Sequence, residues 1–301
     1  LGDVDGGDST LRNDAAAIVE LYMAAGFLLD DVMDDDVPAH SSIGIDAALG
    51  TAVLMIANAA LDEAAEALPA TERTALKMAA QRLVLAACDG QLRELRLTGD
   101  AQRLRTMSVD DAMALTEDKA GSLGELAAVV GAGLAGGFTT NASGAKGADV
   151  TAALRGCYYH YVTYVQMVDD LTDAVDDGAG APGDIAQGRP TVPSVYFYKN
   201  ASYLRADLGA DTEVIAPTVN IISARDALVR PDADQLRESG TTPFTQLAAE
   251  MQRKHAIAAA TQIQAEHGGA EALLGLFGAG QGADSEAKLD ATTASPGSPS
   301  T

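Results

Sequence analysis

Two short acidic segments, each closing a long apolar helical run, constrain this chain more than anything else in it. The first is Leu28-Leu29-Asp30-Asp31-Val32-Met33-Asp34-Asp35-Asp36. It ends a run that starts at Ala15 and places five carboxylates in seven positions. On a helix Asp30 and Asp34 are four apart and share a face, with Asp31 beside them. So many like charges on one face repel. Either water screens them at a solvated helix end, or a divalent cation neutralises them and gains hard oxygen ligands. The natural ion for the second case is Mg²⁺ carrying a phosphorylated ligand. The other segment, Gln166-Met167-Val168-Asp169-Asp170-Leu171-Thr172-Asp173, repeats the D-D-x-x-D spacing after a second apolar and aromatic run. Two such clusters facing each other across a helical bundle can clamp several Mg²⁺ ions around one diphosphate.

The 301 residues suffice for one large helical domain or two small ones, and aromatics make up only 4% with no Trp. Ala, Leu and Gly dominate and β-branched runs are few, which predicts an all-α protein. A net charge of −23 argues against a nucleic-acid surface and against anionic membranes. It fits a salty cytoplasm or an acidic soluble enzyme. Cys88 and Cys157 sit in apolar helical contexts without metal-ligand spacing, and read as reduced core residues of a cytoplasmic protein. The uncharged stretch 47–61 is too short for a bilayer, which needs about 20 apolar residues, so an integral membrane protein is not expected. The chain opens on Leu1 in a Gly/Asp loop, as after loss of an N-terminal portion or from an unusual start codon.

Helical pattern and breakers predict one domain over residues 1–278, followed by a disordered low-complexity tail over 279–301. Asp8, Ser9 or Thr10 caps a helix running to about residue 35. Residues 37–44 connect it to a helix over 46–68 that is apolar nearly all round and is expected to be central and buried. Pro69 breaks that helix, and the next runs to about Leu97. After a turn at 98–100, Ser108 starts a helix reaching towards Gly133. Residues 136–147 and 176–193 read as loops around a helix over 149–175. Three or four weaker helices follow, the best over 245–266.

Five motifs stand in order along residues 10–275: Asp30-Asp31-x-x-Asp34, Gly90-Gln91-x-x-Glu94-Leu95, Lys119-x-Gly121-x-Leu123, Gln166-x-x-Asp169-Asp170-x-x-Asp173, and Asp184-Ile-Ala-Gln-Gly188-Arg189-Pro-Thr191-Val-Pro193. Together they resemble the polyprenyl diphosphate synthase (trans-prenyltransferase) family of class I isoprenoid synthases. The resemblance implies an isoprenoid-synthase helical bundle whose central helices carry the two facing clusters. It implies Mg²⁺, three ions per site, bound by Asp30, Asp31 and Asp34 from one side and Asp169, Asp170 and Asp173 from the other. Lys119 and Arg189 would contact the diphosphate, Gln166 would sit near it, and Gln91 would line the substrate site. The implied reaction is condensation of isopentenyl diphosphate with an allylic prenyl diphosphate, in a homodimer, to a product of about C20 or longer.

Departures from that family pattern bear on the acceptor. No Lys or Arg occurs between Asn13 and Glu72, where the family carries an Arg pair after its first cluster, and the upstream basic G-G-K-x-x-R-P segment is absent. Ala120 replaces a Thr, and Asn58 stands where a Gly-Asp pair is usual. The ionising half of the site is complete and the isopentenyl diphosphate half is depleted. The open alternatives are a terpene cyclase of the same fold, a different acceptor, or a non-catalytic partner subunit, although that last reading usually goes with lost carboxylates. Ala25 and Gly26, small and just below Asp30, leave depth for a growing chain. Tyr22 lies a turn deeper, about 12 Å below Asp30, where it either stops the chain or packs in the core. Tyr158, Tyr159, Tyr161 and Tyr164, with His160, either pack the core or stabilise a carbocation.

Overall fold

The computed structural model describes residues 9–34, 41–135, 144–175, 182–206, 228 and 230–278. Among them every regular element is helical: α1 (Ser9–Met33), α2 (Ile43–Ala64), α3 (Ala70–Leu97), α4 (Ala101–Thr106), α5 (Val109–Thr116), α6 (Ser122–Leu134), α7 (Gly144–Thr172), α8 (Asp184–Gln187), α9 (Val192–Ala206), α10 (Ala233–Glu238), α11 (Thr241–His267) and α12 (Glu271–Leu276). A 3₁₀ turn, Ala65–Ala67, finishes α2, and a π-turn, Glu117–Gly121, joins α5 to α6.

Local chemistry sets these boundaries. The Ser42 side chain accepts from the Ile45 amide to start α2. Ser108 and Asp111 form a reciprocal capping box at the head of α5, as do Asp232 and Gln235 at α10. The four-residue α8 ends at Gly188, whose φ of 72° no β-carbon favours.

The helices pack in a bundle, α1 on α2 and α6, α3 on α6, and α7 on both α6 and α11. One apolar cluster, with Ile18, Tyr22, Leu76 and Val130 at its centre, joins α1, α2, α3 and α6. A second gathers Leu104, Met167, Ile185, Val195 and Phe197 from α4, α7, α8 and α9. Small residues bring helices close where the site needs it. A β-carbon on Gly124 would stand 2.4 Å from the Tyr158 carbonyl, and one on Gly50 would stand 2.9 Å from Leu29. The first lets α6 lie against α7 and the second lets α2 lie against α1, below the first acidic cluster.

Several expectations change. The helix expected to be buried over 46–68 is α2, and most of it faces outward: Ile45, Leu49 and Ile56 are 62%, 48% and 54% exposed. Its own chain covers one stripe only, through Gly50, Ala57 and Leu61. Through the 3₁₀ turn it runs Ile43–Ala67, long and apolar enough by length and composition to cross a membrane, because the helix continues past the uncharged stretch 47–61. Cys157 is buried as expected, but Cys88 is exposed. α4 interrupts the span between turn and helix before Ser108, capped by Asp100. α7 begins at Gly144, within the segment read as a loop, and α8 and the start of α9 lie inside the expected loop 176–193. Residues 1–8 and the tail 279–301 lie outside the described residues.

Candidate active site

The site forms where the C-terminal end of α1 meets α3, the π-turn, α7 and the α8 region. Lys119 is its centre. A π-turn carries i→i+5 bonding and widens the helix by one residue. Here it pushes the Lys119 backbone against α3, and only glycine on α3 permits this. A β-carbon on Gly90 would sit 2.7 Å from the Lys119 amide nitrogen. From the other side, one on Gly121 would sit 2.8 Å from Thr163 Oγ1 and Tyr159 Cε2 on α7. The turn is therefore held between two helices. Gly90→Ala is expected to push the turn outward and lower kcat/KM by about 10- to 100-fold with helix content unchanged. Steady-state kinetics and circular dichroism check this together.

From that fixed turn the Lys119 side chain bridges two carboxylates, Asp30 Oδ1 at 3.1 Å and Glu94 Oε2 at 3.3 Å. Burial alone would lower its pKa, but Glu94, Asp30 and Asp34 outweigh burial and raise it, so Lys119 is a permanent cation. Burial raises the Asp30 and Glu94 carboxyls, against the pull of Lys119.

Arg189 follows the left-handed Gly188 turn and reaches back across the bundle. Its fork engages the Asp34 carboxylate and, at 3.3 Å, the Asp34 carbonyl. Its Nε donates to Gln187 Oε1 at 2.9 Å and lies 3.4 Å from Asp184 Oδ1. The Asp184 amide donates to the Asp173 carbonyl at 2.8 Å, which ties this loop to the end of α7. Burial pushes the Asp184 carboxyl up to about 7, against the nearby Arg189 charge. For Arg189 the charges of Asp34 and Asp184 outweigh burial and raise its pKa.

The two clusters differ in character. Gln91 donates from Nε2 to Asp34 Oδ1 at 3.3 Å, while its Oε1, buried, has no protein partner. Asp170 is buried and accepts from Gln166 Nε2 at 2.8 Å. Burial holds its carboxyl well above the usual range, the Gln166 hydrogen bond opposing and Asp184 and Glu94 adding. A small cavity is lined by Glu94, Leu115, Thr116, Lys119, Gln166, Asp170, Pro190 and Thr191. Asp169 and Asp173 are exposed, and Asp31 is half-buried beside Asp30. Among the described residues no three His, Cys, Asp or Glu side chains converge as a metal cage, and Lys119 and Arg189 stand against the first cluster. The donor chemistry nevertheless fits Mg²⁺: hard carboxylate oxygens in excess over cations, and an orphaned amide oxygen beside them.

The sequence-derived site residues Asp30, Asp34, Gln91, Lys119, Gln166, Asp170 and Arg189 thus lie in one region. Glu94 and Asp184 join them; both stand in quoted motifs, and what marked them was a carboxylate one or two turns from a site residue. Below the site, Ala25 is buried and Gly26 lies 4.0 Å from Leu123. Tyr22 is buried in the core and donates to Asn58 Oδ1 at 3.2 Å. The tyrosines of α7 make packing contacts. Tyr161 stacks on Phe277 at 4.5 Å between ring centroids, Tyr159 covers Gly121, and Tyr158 packs beneath α6. His160 Nδ1 meets Gln252 Oε1 at 2.6 Å.

The family model for polyprenyl synthetase matches residues 5–218, and the chain belongs to that family. It is a prenyltransferase by that membership. No curated protein sequence matches it. Among solved structures, it is similar to a polyprenyl synthetase from Streptomyces coelicolor A3(2), 23% identical, with TM-score 0.61 over 87% of this chain and 76% of that one. It is similar to a geranylgeranyl pyrophosphate synthase from Lactobacillus brevis, 16% identical, with TM-score 0.64 over 88% and 77%. A third is the Corynebacterium glutamicum geranylgeranyl pyrophosphate synthase complexed with isoprenyl diphosphate and magnesium, 18% identical, with TM-score 0.61 over 91% and 80%. At these identities the likeness establishes the fold.

Proposed function

We propose that the chain is a Mg²⁺-dependent prenyltransferase that condenses isopentenyl diphosphate with an allylic prenyl diphosphate, giving a polyprenyl diphosphate of about C20 or longer. The observation that carries this is the placement of Lys119 and Arg189, two permanent cations from distant segments, against Asp30 and Asp34. Bound Mg²⁺ supplies the positive charge that stabilises a departing diphosphate. Asp30, Asp31 and Asp34 on one side and Asp169, Asp170 and Asp173 on the other would hold it. Lys119 and Arg189 bind the diphosphate oxygens and stabilise the charge that develops on them. Gln166 orients the Asp170 carboxylate, and Gln91, beside Asp34, lines the substrate site. Ala25 and Gly26 leave room beneath the first cluster for the growing chain, and buried Tyr22 closes that depth.

One observation favours a second reading. The absence of Lys and Arg between Asn13 and Glu72 removes charge that a second diphosphate would need, as expected of a cyclase or of transfer to a neutral acceptor. Incubation with geranyl, farnesyl or geranylgeranyl diphosphate and Mg²⁺, with and without isopentenyl diphosphate, separates the two by mass spectrometry. Elongated diphosphates that require isopentenyl diphosphate are expected. Hydrocarbons or alcohols formed without it would replace the elongation reading with the second one.

The working form we infer is a cytoplasmic homodimer. Ile45, Leu49 and Ile56 fall on one outward face of α2, an apolar surface suited to a second copy. Leu49→Glu is expected to shift the protein from dimer to monomer in light-scattering chromatography. A wild-type monomer at micromolar concentration would remove this part of the proposal.

A further inference from the structure

Lys119 bridges Asp30 and Glu94, but these carboxylates differ. The Glu94 side chain is 12% exposed and Lys119 is its ion-pair partner, whereas the Asp30 side chain is 33% exposed and belongs to the cluster at the end of α1. Leaving a buried carboxylate without its counter-charge is strongly unfavourable, while an accessible one can exchange one cation for another. Arg189 differs, because the side chains of both its carboxylates, Asp34 and Asp184, are only 10% and 12% exposed. Its Nε is held by Gln187 and Asp184 from its own loop, and its fork lies on Asp34. Asp30 and Asp34 are the two carboxylates that share one face of α1.

We propose that Glu94 is the permanent anchor of Lys119 and Asp30 its exchangeable partner, so that Lys119 passes from the first cluster to a diphosphate without leaving α3. The inference rests on the prenyl diphosphate reading of this site. Glu94 is one helical turn beyond Gly90, the residue that clamps the Lys119 backbone. One face of α3 therefore fixes both ends of the lysine, its main chain at Gly90 and its ammonium group at Glu94. The only freedom left is a small swing of the ammonium group about the Glu94 carboxylate. In the metal-free protein that swing is directed at Asp30, so Lys119 and Mg²⁺ compete for the same oxygens. Glu94 is a positioning residue, acting through Lys119.

Competition predicts effects of opposite sign, which a merely structural role would not produce. The test is isothermal titration of the full chain with Mg²⁺ alone, and with inorganic diphosphate at saturating Mg²⁺. Lys119→Met is expected to bind Mg²⁺ alone about 3- to 10-fold more tightly than wild type, and Mg²⁺-diphosphate more weakly. Glu94→Gln is expected to weaken Mg²⁺-diphosphate binding about tenfold, and to have no further effect when combined with Lys119→Met. Unchanged or weaker Mg²⁺ binding by Lys119→Met would overturn the proposal. Equal losses from Glu94→Gln in both backgrounds would overturn it too. Should Glu94→Gln not fold, the Mg²⁺ titration of wild type against Lys119→Met still decides. If wild type binds Mg²⁺ but no diphosphate, the prenyl diphosphate reading fails, and that same titration separately decides whether Lys119 competes with the ion.

Discussion

Asp170→Asn is expected to make the metal-free protein more stable and the enzyme inactive. Asp170 is buried with one hydrogen bond, from Gln166, and its carboxyl is held well above the usual range by burial, with Asp184 and Glu94 adding to it. A carboxyl whose pKa is higher in the folded state contributes stability at pH values below its unfolded pKa. That contribution is lost as pH rises through the folded value. At pH 8, above its unfolded value, the wild-type protein has lost stability through this group, and the asparagine variant, which does not titrate, has not. The variant's Tm should be higher there by several degrees, at about 2–4 °C per kcal/mol for chains of roughly this size. The gap should close towards pH 4. Turnover should fall by on the order of 10³, because the carboxylate proposed to hold Mg²⁺ is gone. Thermal melts at pH 4 and pH 8 in chelator, with product assays in parallel, check both halves. A variant less stable than wild type at pH 8 would mean that Asp170 is stabilised by its surroundings rather than strained by them.

Arg189→Met should do the reverse to stability. It removes the cation shared by Asp34 and Asp184 and leaves two carboxylates near each other without it. The loss should be about 1–3 kcal/mol, between values for exposed and buried pairs. Added Mg²⁺ should restore part of it, since a divalent ion answers the same charge. kcat should fall about 10²- to 10³-fold. Arg189→Lys should keep part of the rate but lose the clamp, because an ammonium group has no Nε to rest on Gln187 while its fork reaches Asp34. Melts with and without Mg²⁺ and steady-state rates for both variants test this.

The helical class, the approximate ends of α1 and α3 and the C-terminal end of α7 were legible because long 3.6-residue periodicity and Pro or Ser/Thr signals dominate there. α2 was read correctly as a helix and wrongly as buried. Periodicity shows that a surface is apolar, but not whether the same chain or another molecule covers it. α4 escaped notice because six residues are too few for a period. The site residues came from motif spacing, which places carboxylates on a helix but does not say which of them face inward. Asp169 and Asp173, four apart, are both exposed, while Asp170 is buried and bonded to Gln166, four residues before it. Glu94 and Asp184 gained their roles from partners 25 and 5 positions away, and the longer of these separations has no local signature. The pairing of Lys119 with Asp30 and Glu94 follows from the charge balance of the site, which no motif encodes.

The wide turn at Glu117–Gly121 has one more consequence. Because it spends an additional residue on one revolution, the rod formed by α5 and α6 carries a phase slip. Its two halves present their inward stripes at different angles, α5 towards α9 and α6 towards α1 and α7. A single helix would have to choose between those neighbours. The slip lets one continuous rod serve as a wall shared by both apolar clusters, and it places Lys119 at the seam between them.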